Sequence, residues 1–345
     1  MRFALRHTGI LILLAVAFSG CSLVDEDMRD CETDYTLDYE LRLVTNMTTE
    51  LQTQLGLVTD VNVASAIKTY LKDVFTDHAH DVDLGFYDVV GDSVLLHREN
   101  HVMDANQSSY TLYIPVRRYM HVATANIEQN PLLSIDGTDK CHTLRAVQQV
   151  RDTITSHKTG FFSARLPMDI KEGVDQQFDV KLYMANCASS VLIDTLGSGI
   201  KDIKVFMTGF ATSFDLCDSL YRFDYTPVVK PDQLTFEDPG RVGFIAVTYP
   251  SRPAPPATKI IIDWDDPFVT DSAPNSLWQV YVYCTLADGS ITQNILGIHN
   301  QLLPGQFRLL CARAYTNGTL APDDPTIGVS VTLNWEPGLE IPVVL

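Results

Sequence analysis

Apolar and polar residues alternate along most of this chain, and that rhythm leaves few folds open to it. Leu37, Tyr39, Leu41 and Leu43 are separated by Asp38, Glu40 and Arg42. Successive side chains of a strand point to opposite faces, so such a run has one apolar and one wetted face. The rhythm returns at Val82-Leu84-Phe86, Tyr110-Leu112-Ile114, Phe178-Val180-Leu182-Met184 and Val329-Val331-Leu333-Trp335. Turn signals lie between these runs, at Gly91-Asp92, Asp136-Gly137, Asp288-Gly289 and Asn317-Gly318. Strands at this density, joined by polar turns, predict a mainly β chain built as tandem antiparallel β-sandwiches. One short helix interrupts them, because Ile67, Tyr70, Leu71, Val74 and Phe75 share one helical face. It is expected to cover an edge or end of one sheet.

Roughly 310 residues follow position 36, enough for two domains of ordinary size. The expected division is an N-terminal sandwich over 37–165 and a C-terminal sandwich over 166–345, separated after the polar stretch Arg151 to Gly160. Pro-rich Ser251 to Ala257 reads as a long loop inside the second sandwich. A weak internal repeat points the same way. Asp83 to Ser93 reads like Gln279 to Ser290, and Ile114 to Ala125 echoes Leu303 to Ala314.

The first residues set location. Arg2, Arg6 and His7 precede an apolar run from Ile10 to Phe18, about half the ~20 residues that a spanning helix needs. Small Ser19 and Gly20 then suit a signal peptidase, and Cys21 directly after them completes a lipobox, with Phe18 where Leu is commoner. Residues 1–20 are therefore expected to leave as a lipoprotein signal peptide. Acyl chains on Cys21 would hold the mature chain at the outer membrane, at ~0.8 kcal/mol per buried methylene. Residues 21–36 form an acidic tether in which Asp25, Glu26 and Asp27 read as a surface-export signal. The chain carries 25 basic and 43 acidic residues, a net charge of −18. That balance excludes nucleic acid as a partner, because phosphates need a basic patch.

Apart from Cys21, six cysteines remain: Cys31, Cys141, Cys187, Cys217, Cys284 and Cys311. An even number in an exported chain is consistent with disulfides, and their spacing contains no C-x-x-C. A Cys31–Cys141 bond would clip the tether to the first sandwich; buried free thiols are the alternative.

Catalytic signatures are lacking. There is no G-x-S-x-G elbow, H-E-x-x-H helix or phosphate-cradling loop, and Gly197-Ser198-Gly199 reads as a turn before a strand over Ile203 to Met207. His78 and His80 supply two metal ligands where three or four are needed, so they read as a polar lead-in to a strand. The acidic groups Asp263, Asp265, Asp266 and Asp323, Asp324 are interrupted by proline and fit solvated turns as well as calcium. Trp264, Trp278 and Trp335 would make a sugar-stacking platform only if exposed, and Trp335 reads as core. No catalytic residue, metal or cofactor is assigned.

Several segments together resemble the fimbrial anchor lipoproteins of Bacteroidales, the FimB/minor-fimbria anchor family. They are Cys31-Glu32-Thr33-Asp34-Tyr35, Val82 to Asp88, Tyr110 to Pro115 and Tyr119 to Asn126. Phe178 to Leu182, Trp278 to Tyr283 and Val329 to Trp335 extend the likeness through the second half. The resemblance implies two transthyretin-like sandwiches and no enzymatic activity. It implies fimbrillin-like pilus subunits as partners, and a role in tying a fimbrial shaft to the outer membrane and limiting its length. An apolar C-terminal stretch with Leu339, Ile341, Val343 and Leu345 is the candidate for donating or covering a strand edge in exchange with such a subunit, with Pro342 confining it to a sheet edge; packing in the core is the equal alternative. The competing expectation is a surface glycan-binding lipoprotein of a polysaccharide-uptake system, which would display an exposed aromatic row.

Overall fold

A computed structural model of the chain describes residues 34–44, 53–56, 60–72, 74, 79–102, 109–128, 130–149, 153–174, 176–225, 227–256 and 275–335. Its strands, β1 to β22 in chain order, form four sheets. Sheet one contains β1 (Asp34–Val44), β2 (Asp81–Asp88), β3 (Leu95–Val102), β4 (Ser109–Pro115), β5 (Arg118–Ala125), β9 (Phe162–Asp169) and β10 (Gln177–Met184). Its strand order is β3-β2-β5-β9-β10-β1-β4. Sheet two joins β6 (Leu133–Asp136) and β7 (Arg145–Gln148) to β13 (Ser213–Asp215) and β14 (Leu220–Arg222).

Sheet three contains β11 (Cys187–Asp194), β16 (Asp232–Leu234), β17 (Arg241–Thr248), β20 (Phe307–Ala314) and β21 (Leu320–Pro322). Sheet four contains β8 (Thr153–Thr155), β12 (Asp202–Thr208), β15 (Val228–Lys230), β18 (Trp278–Thr285), β19 (Ile291–Ile298) and β22 (Gly328–Trp335). The fold is mainly β and sandwich-like, as the alternation predicts. The five alternating runs all lie in strands, and Gly91, Gly137, Gly289 and Gly318 all take positive φ in turns.

Sheets three and four pack face to face. Cys187, Val191 and Ile193 of β11 meet Val205, Met207, Val280 and Val282 of sheet four in one core. The alternate residues of β11, Ala188 and Leu192, face the other way and join a second core with sheet one. Sheet three is thus buried on both faces, which explains why β11 contains almost no exposed side chain.

The helix sits in that second core. We label it α1 (Val61–Lys72); Val63, Ile67 and Leu71 are buried among residues of sheets one and three. It is not an edge cover but a wedge between sandwiches, and each fully buried Ile or Leu there contributes about 1.5–3 kcal/mol. Asp60 caps it by accepting a 2.8 Å hydrogen bond from the Asn62 amide. The same carboxylate pairs with Arg241 of β17 at 2.6 Å, which fixes the helix start to the second sandwich.

The halves also exchange strands. β8, from the first half, pairs parallel with β15 in sheet four, whereas β13 crosses back to pair with β7 in sheet two and carries β14 on its other edge. Sheet two then covers the outer face of sheet one through Tyr87, Val122, Ala146, Phe161 and Phe214. The expected division at 165/166 falls inside β9, and β10 pairs with β1 from Asp38↔Gln177 to Val44↔Tyr183. Sheet one therefore runs to Met184. The polar stretch read as a separator holds fully buried Ser156 and His157, not a linker.

A single disulfide is present among the described residues, Cys141–Cys217, whose ends are 76 positions apart in sequence. It corrects the pairing expected for Cys141, which is taken by a residue of the second half; Cys31 lies outside the described residues. Cys187 and Cys284 are buried free thiols and Cys311 is a half-buried one. Asp215, in the same sheet, pairs with Arg222 at 2.5 Å. It also lies 2.8 Å from Arg145 Nε, close enough for an ion pair although not aligned for a hydrogen bond. The two halves of the internal repeat do not occupy equivalent places in the fold. β2 and β5 are neighbours in one sheet, but their counterparts β18 and β20 lie in different sheets.

Candidate partner-binding surface

The residues assigned to location and strand exchange from sequence lie outside the described residues: Cys21, Asp25, Glu26, Asp27, Leu339, Ile341, Val343 and Leu345. His78, the first acidic group and Trp264 lie outside them as well. His80 donates through its backbone amide to Asn126 Oδ1 at 2.7 Å, at the entry to β2. Asp81 accepts from the Ile127 amide at 2.9 Å, and Asp83 pairs with Arg98 across the β2–β3 hairpin. Asp324 accepts from the Thr326 amide at 2.9 Å and pairs with Arg308 at 3.0 Å. No group of three metal-ligating side chains converges among the described residues.

Trp278 is buried and donates through its indole N–H to the Asn300 carbonyl at 3.1 Å. It is therefore unable to stack on a sugar. Among the described residues the large exposed aromatics are Tyr113, Tyr183 and Tyr315, on β4, β10 and the loop after β20.

Titratable groups with displaced pKa values are mostly buried and inert. Burial pushes the Cys187 and Cys284 thiols up to about 12, so neither is a thiolate at neutral pH. Burial pushes the imidazoles of His121 and His157 down to about 4. His121 bonds through Nδ1 to the Gly85 carbonyl at 2.9 Å and stacks on Phe86, with ring centroids 4.3 Å apart. His157 meets the Asn186 amide nitrogen at 2.8 Å at the junction of the sandwiches. These imidazoles belong to the core and face no cleft.

Open strand edges are what this surface offers. β22 is the outer strand of sheet four, with Val329 partly exposed, and it leads directly into residues 336–345. A second opening lies within sheet one. β9 and β10 pair at only two positions, Tyr183↔Ser163 and Met184↔Phe162. β9 instead follows β5 through eight pairs, and β10 follows β1 through seven. Each strand is committed to a different neighbour, so the two diverge. Side chains of β2, β5 and β9 then meet those of β4 and β10 in one core.

The divergence leaves a cleft of about 610 Å³ lined by Ala164, Arg165, Leu166, Asp179, Lys181 and Tyr183, among others. The sequence reading missed it. Pro167 was the available signal, since a proline inside a strand marks an edge.

No family model matches the chain, and no curated protein does either. Solved structures do. A proposed adhesin from Bacteroides ovatus aligns with a TM-score of 0.52 at 10% identity, over 89% of this chain and 96% of that one. The fimbrial anchor protein Mfa2 from Porphyromonas gingivalis gives 0.47 at 10% identity, over 88% and 100%. A proposed polysaccharide-binding protein from Bacteroides thetaiotaomicron gives 0.49 at 9% identity, over 85% and 97%. The chain has the fold of the Bacteroides ovatus protein over 89% of its length.

Proposed function

We propose that this chain is a non-enzymatic cell-surface lipoprotein, acylated at Cys21, that anchors a fimbrial shaft to the outer membrane and limits its length. The observation that carries the reading is the adhesin-like architecture, matched over 89% of the chain, on a body whose displaced titratable groups are mostly buried. The lipobox and the family-like strand segments of the sequence supply the location and the kind of partner. Open strand edges suit the task. A partner's strand added at such an edge gains main-chain hydrogen bonds, while alternate side-chain pockets set its register.

The test is a deletion strain examined by electron microscopy, with affinity capture of surface complexes from the parent. The reading expects fimbriae shed or altered in length, and fimbrillin-like subunits in the captured complex. Unchanged fimbriae together with a complex free of pilus subunits would sink it.

A further inference from the structure

Among the described residues three strand pairs run parallel, and two of them are long. β1 pairs with β10 at seven positions, from Asp38↔Gln177 to Val44↔Tyr183. β11 pairs with β20 at seven positions, from Ala188↔Phe307 to Asp194↔Arg313. The third, β8 with β15, has only three.

The two long parallel pairs stand in series. β10 ends at Met184 and β11 begins at Cys187, so only Ala185 and Asn186 join them. Both are buried. The Asn186 side-chain carbonyl accepts from the Phe161 amide, at the start of β9. Its backbone carbonyl accepts from the Gly305 amide at 2.7 Å, in the loop before β20. The link is therefore pinned to both sandwiches and does not stretch as a free linker would.

Strand direction decides how each pair meets tension. A pull on the N-terminus draws β1 toward its Asp34 end, whereas resistance reaches β10 at Met184, through the link to β11. Parallel strands drawn by opposite ends slide past each other, so all seven pairs must give together. The same holds in sheet three for a load taken beyond β20: β11 is drawn by its Cys187 end and β20 by its Ala314 end. Partners in an antiparallel hairpin are drawn by ends that lie side by side, and they open one pair at a time. Neither β1 nor β11 is an edge strand. β4 holds the other side of β1 through seven pairs, and β17 holds the other side of β11 through eight.

We infer that the two parallel ladders form a tension-holding device: pulled between its N-terminus and the chain beyond β20, the protein meets force with two seven-pair shears in series. The inference deepens the anchoring reading. It rests on that reading for the load entering at acylated Cys21 and for a shaft supplying it. The shear itself follows from strand direction and connectivity alone.

The test is single-molecule force spectroscopy on the whole mature chain, residues 21–345, with a tag at its N-terminus in place of the acyl groups. The second handle is a click-reactive amino acid replacing either Tyr315, exposed just after β20, or Glu172, exposed in the turn before β10. Pulling at Tyr315 shears both ladders. Pulling at Glu172 loads β1 and β10 from adjacent ends and opens Asp38↔Gln177 first. Forced unfolding is governed by the unfolding rate, so at one clamped force the chain held at Tyr315 should last at least about tenfold longer. Matching thermal melts of the two labelled chains exclude damage by the handle.

Equal lifetimes, or a shorter one at Tyr315, overturn the inference whatever a deletion strain shows about fimbriae. A longer lifetime at Tyr315, with fimbriae intact in the deletion strain, upholds the device and removes the anchoring reading. A longer lifetime together with fimbriae shed on deletion supports both.

Discussion

Replacing Cys141 and Cys217 together by serine tests whether the two halves are locked as one body. The bond joins a loop of the first half to the strand segment that crosses back from the second, across 76 residues. Closing a loop of that size in the unfolded chain removes about 15 cal/mol/K of entropy, or about 4.5 kcal/mol at room temperature. With a melting entropy of about 2.1 cal/mol/K per residue over some 310 residues, the double variant should melt about 7 °C lower. The bond sits beside Phe214, Leu216 and Ala146, in the core that covers sheet one, so its loss loosens the cover as well as the chain.

Calorimetry of the purified chain, oxidised and reduced, and of the double variant is the assay. Because β8 and β13–β14 are exchanged between sheets, a single transition should shift as a whole. A shift under 1 °C would refute the entropy argument. Two separated transitions, with one unmoved, would refute the interlock.

Three further outcomes follow from buried groups. His121 and His157 have folded pKa values of about 4 against 6.5 unfolded, so the unfolded chain takes protons first as pH falls. Stability should be at its full value above pH 6.5 and fall toward pH 4, by about 3 kcal/mol per histidine; urea midpoints that stay level across this window would contradict it. Gly209→Ala should cost at least about 2 kcal/mol in denaturant melts. Its φ is +99°, and an added Cβ would lie 2.7 Å from the Leu277 carbonyl oxygen, where the chain leaves β12 for sheet two. Ile67→Ala should cost about 2–5 kcal/mol by the same measurement, because that side chain is fully buried in the core between the sandwiches, and an edge-covering helix would lose far less.

Most of the secondary structure was legible because alternation is a local property. β4 and β10 follow it, with Leu112, Ile114, Val180 and Leu182 buried, and β2 keeps it on one face through Val82, Leu84 and Phe86. Sheet membership was not legible, since it depends on pairing between distant residues. β8, β13, β14 and β15 are three residues each, too short to alternate visibly, yet they carry the exchange between halves. The helix stripe was found, but a stripe does not reveal that sheets one and three meet over it. Runs buried on both faces, such as β11, lack a polar face altogether and so give no period to read. The cleft between β9 and β10 escaped for a related reason: Asp179, Lys181 and Tyr183 read as the wetted face of an ordinary strand, and only the divergence from β9 makes them a wall.

The anchoring claim depends on one covalent link at residue 21. Cys21→Ala, expressed at parental levels, can be assayed by dividing the culture into outer membrane and cell-free medium and measuring both this chain and the pilus subunit in each. The account predicts that the two proteins move together into the medium, with fimbriae lost from the cells. A variant that stays in the membrane fraction, or that leaves while fimbriae remain attached, would contradict it.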